Sequence, residues 1–149
     1  MFGKKRLARK MIGGVDVVRL VLNKILRDDF SKKYQKEGEE FYKTLAGATV
    51  NEIFGSHSEA SRITFDKNKE TVVEEIETLG IRHSELKRPI TDAIRVYIQA
   101  SFILRGELPR NYSVIFNNAI DRGVFIGGGG QPIPKTFLAM TEELRKKYL

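Results

Sequence analysis

The stretch PITDAIRVYIQASFIL, residues 89–104, decides the fold. Ile90, Ala93, Ile94, Tyr97, Ile98, Ser101 and Leu104 recur at intervals of three and four residues, which places them on one face of a helix. Pro89 suits the first helical position, and Gly106 and Pro109 close the run. Val96, Ala100, Phe102 and Ile103 lie outside that face, so the second half is apolar nearly all round. A helix of that kind is usually the buried centre of a bundle.

Working outward, the chain reads as further helices. Upstream, residues 67–79 turn Val72, Val73, Ile76 and Leu79 inward and Glu70, Glu74, Glu75 and Glu77 outward, with Gly80 as the stop. Ser56 and Glu59 have the spacing of a capping box and predict a short helix from residue 56. A helix over about 32–54 carries Phe41, Tyr42, Leu45, Ala48, Thr49 and Ile53, starts on polar turns that leave Tyr34 exposed, and stops at a left-handed Gly55. Val17, Val18, Val21, Leu22, Ile25 and Leu26 form the stripe of a helix over 15–30. Downstream, Ile115, Phe116, Ala119 and Ile120 predict a helix to Arg122, and a final helix follows Thr136 as its cap. Between them, residues 123–135 form a Gly/Pro-rich linker in which Gly127, Gly128, Gly129 and Gly130 act as a hinge.

The expected architecture is therefore all-α: a single-domain bundle of five to six helices over 15–122, with a glycine-hinged C-terminal helix over 136–149. Adjacent glycines cost a helix about 1 kcal/mol each relative to alanine. Gly13-Gly14 is accordingly expected to end a flexible arm, residues 1–14. At 149 residues one domain is expected, burying roughly 70% of its unfolded surface.

Charge is concentrated in that arm. Residues 1–10 hold five bases (Lys4, Lys5, Arg6, Arg9, Lys10) and no acid, against a net charge of +7 for the whole chain. These bases suit phosphates on nucleic acid or an anionic membrane, for which Phe2, Leu7, Met11 and Ile12 would form a small apolar side. A solvated tail is the plain alternative.

Several chemistries are argued against. With no cysteine there are no disulfides, thiolate nucleophiles or cysteine-held metals. The Ser56-His57-Ser58-Glu59 run holds triad residue types, but sequence neighbours rarely converge as a triad must, and helix capping explains Ser56 and Glu59. Neither His57 nor His83 lies in a Glu-x-x-His or His-Glu-x-x-His spacing, so no metal site is expected. The glycine run lacks the Gly-Lys-Ser/Thr ending of a phosphate loop, and Pro132 and Pro134 remove backbone donors. Asp16, Arg19 and Lys24 interrupt the apolar stretch 15–26, so neither a cleaved signal nor a membrane span is expected.

The function expected from sequence is a non-enzymatic helical interaction or regulatory module in the cytoplasm, without cofactor, binding another protein or a second copy of itself. Nucleic-acid binding through Lys4, Lys5, Arg6, Arg9 and Lys10, and peripheral membrane association, are the alternatives.

Overall fold

The computed structural model describes residues 2–56, 58–106 and 132–149. Those residues form six α-helices and two short 3-10 turns: α1 (Phe2–Lys33), α2 (Glu39–Phe54), α3 (Glu59–Lys67), α4 (Lys69–Arg82), α5 (Lys87–Arg105) and α6 (Pro134–Tyr148), with turns at Gln35–Glu37 and Ser84–Leu86. No strand occurs among the described residues. The all-α single-domain bundle expected from the sequence is what the chain forms. The predicted helix ending at Arg122, the hinge glycines 127–130 and His57 lie outside the described residues.

The axis of the bundle is α1, not the helix over 89–104. It is 32 residues long, about 48 Å at 1.5 Å per residue, and packs against α2, α5 and α6. Val15, Val18, Val21, Leu22, Ile25, Leu26 and Phe30 run down its inner side and are buried. They meet Leu45, Val50 and Ile53 of α2, Val72, Ile76 and Leu79 of α4, Ile90, Ala93 and Ile94 of α5 and Phe137 of α6 in one continuous core. Burying a side chain as large as Phe137 contributes about 1.5–3 kcal/mol.

The expected break at Gly13-Gly14 does not occur: α1 runs through both glycines. The reason lies 123 residues downstream. A Cβ on Gly14 would stand 2.7 Å from Cε2 of Phe137, whereas one on Gly13 would meet nothing within 4 Å. Gly14 is thus the notch that lets α6 settle onto α1, and that contact offsets the cost of glycine in a helix. Residues 2–14 are accordingly a structured part of the bundle rather than a flexible arm.

Other boundaries shift for local reasons. Ser56 does not cap α3; its N–H donates to the carbonyl of Asn51 at 2.9 Å, while the Gly55 N–H donates to Glu52, the paired bonds that close α2 around a left-handed Gly55 (φ 67°). The cap of α3 is Ser58, whose hydroxyl accepts from the Ser61 N–H at 3.2 Å. Gly80 does not stop α4; it is buried within the helix, which continues to Arg82. Lys87 opens α5, with Pro89 inside its first turn, where a missing N–H costs nothing. Pro134, not a Thr136 cap, begins α6, and Phe137 N–H donates to Ile133 O at 2.9 Å.

Candidate functional site

Charged residues first separate into structural and available ones. Glu75, expected on a solvent face, is 5% exposed. Its Oε1 accepts from the Tyr34 hydroxyl at 2.7 Å and from the Lys33 ammonium. Tyr34, expected exposed, is half-buried with its ring edge-on to Phe30 and Phe41 at 5.5 and 5.6 Å between centroids. Burial, and then the hydrogen bond to Glu75, push its phenol well above the ordinary tyrosine range. This cluster ties the end of α1 to α4. His83 does similar work nearby: Nε2 lies 2.7 Å from Asp29 Oδ2 on α1, and Arg82 is 3.9 Å from the same oxygen. Arg19 stacks over the Phe54 ring at 5.1 Å and donates to Asn51 Oδ1 at 2.8 Å, joining α1 to α2. On α5, burial pushes Asp92 up from its ordinary value against the opposing pull of Arg88 and Arg95. Among the described residues, no three His, Asp or Glu side chains are grouped to hold a metal ion.

The bases of the N-terminal segment are available to a partner. Lys4, Lys5, Arg6, Arg9 and Lys10 are all exposed, and among the described residues none is in an ion pair. Being helical, they are sorted by the helix period. Lys5, Arg6, Arg9 and Lys10 form two adjacent i,i+4 rows on the outer side, opposite Ala8, Met11 and Val15. Lys4 falls on the other side, with Leu7. The apolar side expected for a membrane contact is largely spent inside: Met11 is buried and Ile12 half-buried, leaving Leu7 exposed.

Beside that side lies a groove of about 280 Å³. One wall is α1, through Lys4, Leu7, Ala8 and Met11; the other is the second half of α5, through Val96, Gln99, Ala100 and Ile103; Pro132 and Pro134 line it as well. Both helices contribute residues spaced i, i+3, i+4, i+7, two turns of each, or about 10 Å of axis. The floor is small and buried (Ala8 and Ala100 at 3%, with Met11 and Val96), while Leu7 on the rim is 41% exposed. Three of the surplus apolar residues on the second half of α5, Val96, Ala100 and Ile103, thus find a role as a groove wall, and Phe102 lies outside it.

A second recess, about 580 Å³, lies between Lys24, Arg27 and Asp28 of α1, Glu39, Tyr42 and Lys43 of α2, and Leu149. Its charges are partly spent: Lys43 pairs with Glu39 at 2.5 Å, and Lys24 donates to Tyr148 O at 2.5 Å. No helix among the described residues is long and apolar enough to cross a membrane.

A comparison of the chain with family models, curated proteins and solved structures found no match.

Proposed function

We propose that this protein is a non-enzymatic interaction module of the cytoplasm that binds another protein by taking one of its helices into the α1–α5 groove. The observation that carries the reading is the matched pair of stripes. Two helices each offering i, i+3, i+4, i+7 residues around a floor of Ala8 and Ala100 make a trough in which a third helix packs with its own i, i+3, i+4, i+7 anchors. The alanines let the guest backbone come close, and Met11 adapts to differing guest side chains.

The test is selection of displayed helical peptides, with apolar residues fixed at that spacing, against the full chain. Capture is expected to vanish with Leu7→Gln, on the groove rim, and to persist with Ile63→Gln, another exposed apolar residue, on α3. Equal capture by both variants would remove the groove from consideration.

The outer face of α1 supports a second reading, nucleic-acid binding. Lys5, Arg6, Arg9 and Lys10 form a rigid basic patch, and the exposed Gly13 one turn on leaves the helix surface bare where a phosphate backbone approaches. A salt titration of binding to mixed DNA and RNA tests it. Replacing all four bases with Gln is expected to flatten the log–log salt slope by about 3–4; an unchanged slope contradicts it.

A further inference from the structure

A glycine inside a helix weakens it, unless the missing side chain serves a close approach. At Gly14 that approach is the Phe137 ring. At Gly13 nothing within the chain supplies one: the residue is exposed, its φ is not positive, and a Cβ there would meet nothing within 4 Å. Its position on α1 is specific. Gly13 follows Arg6 by seven residues, Arg9 by four and Lys10 by three, so it lies on the outer face with Arg9 to one side and Lys10 to the other, one turn back. Lys5 and Arg6 complete the patch, and all four bases are exposed. Asp16, in line with Lys5 and Arg9, is the first acid of the chain and closes the patch. From Lys5 to Gly13 the basic and bare surface covers about 12 Å of helix axis.

We infer that the sugar–phosphate backbone of a nucleic-acid duplex crosses α1 over Gly13. The missing side chain lets that backbone reach the helix surface, and its phosphates meet Arg9 and Lys10 first, then Lys5 and Arg6. Asp16 repels a strand that follows α1 further, so the strand crosses the helix instead. This rests on the nucleic-acid reading above and adds the point of contact and the form of the partner. A single strand is a poorer fit, because sequence-tolerant binding of single strands uses aromatic stacking platforms, and residues 3–15 hold no aromatic. A duplex also offers this rigid face a phosphate charge for about every 1.7 Å of axis, twice the density of one strand. An anionic membrane fits less well. A helix at a membrane surface buries an apolar side next to its bases. Here Leu7 lies on the opposite side, Met11 is buried, and the exposed Leu20 lies beyond Asp16.

The experiment measures binding of the full chain to a short duplex of mixed sequence, to one strand of it, and to vesicles containing an anionic lipid, each over a range of salt. The variants are Gly13→Ala, Gly13→Leu, and Lys5→Gln, Arg6→Gln, Arg9→Gln and Lys10→Gln combined. Neither glycine substitution changes the charge, and both favour the helix, so Tm is expected to rise in both while circular dichroism verifies the fold. The duplex is expected to bind more tightly than the strand. Gly13→Leu is expected to flatten the log–log salt slope by about 1–2, the loss of one or two phosphate contacts, and Gly13→Ala by less. A rise in Tm with binding and slope unchanged in Gly13→Leu overturns the crossing and leaves the basic patch standing. A slope unmoved by the four-base variant, or no duplex binding at low salt, overturns the reading and the inference together. Tighter binding of the single strand overturns the duplex. Retention by anionic vesicles without duplex binding assigns the bases to a lipid surface and overturns the proposal.

Discussion

Two neighbouring glycines in one helix should respond to alanine in opposite ways. Gly13 is exposed, and an added Cβ there meets nothing within 4 Å. Gly13→Ala therefore collects the helix-propensity gain alone, about 0.5–1 kcal/mol. For a chain of this size that raises Tm by about 1–4 °C. At Gly14 the same methyl lands 2.7 Å from Cε2 of Phe137, with Leu138 Cδ2 and Phe137 Cδ2 at 3.4 Å. The Phe137 ring is 2% exposed and enclosed by the core, so it has little room to retreat. Overpacking of that kind costs about 1–3 kcal/mol, which meets or exceeds the propensity gain. Gly14→Ala is therefore neutral to destabilising, and the two variants differ by about 1–3 kcal/mol. Urea denaturation with an unchanged m-value measures this directly. Phe137→Leu in the Gly14→Ala background should cost less than it does alone, because the shorter side chain relieves the contact. If Gly14→Ala were as stabilising as Gly13→Ala, the seat of α6 on α1 described here would be wrong.

Three further outcomes follow from the same geometry. Tyr34→Phe removes a hydrogen bond to a buried carboxylate and is expected to cost about 1.5–3 kcal/mol in urea denaturation; no loss would mean Lys33 alone satisfies Glu75. Phe137→Ala empties a core position and is expected to cost about 3–5 kcal/mol, with a cost near zero indicating that α6 is not docked in solution. Asp92→Asn is expected to stabilise at pH 7, because burial raises the folded carboxyl above its unfolded value and stability is lost as pH rises through that range. The gain should vanish below about pH 4, where both states are protonated; a destabilised variant at pH 7 would mean that Arg88 and Arg95 outweigh burial.

What the sequence makes legible is the periodic part. The stripe from Val17 to Leu26, the inner face of residues 89–104, the left-handed stop at Gly55 and the stop at Gly106 all depend on neighbours within one or two turns. What escapes it depends on distant partners. Gly14 reads as a helix breaker because its compensation, Phe137, comes from the other end of the chain. Glu75 reads as solvated because Tyr34 and Lys33 are 41 and 42 residues away. Ser56 matches a capping box, yet the closing turn of α2 claims its N–H first. Once Gly13-Gly14 is read as the end of an arm, the groove is invisible, because half of it falls in the discarded segment. The signal that remained was the surplus of apolar residues on the second half of α5, more than a single buried face requires. Phe102, 54% exposed, shows that this helix is not enclosed on every side.

The central claim is that the groove between α1 and α5 accepts a helix, and amide chemical-shift mapping tests it most directly. Titrating the isotope-labelled full chain with a helical peptide selected for binding should shift Leu7, Ala8, Met11, Gln99, Ala100 and Ile103, leaving α3 and α4 unmoved. Shifts confined to the outer face of α1, at Lys5, Arg6, Arg9 and Lys10, or centred elsewhere on the bundle, would contradict it.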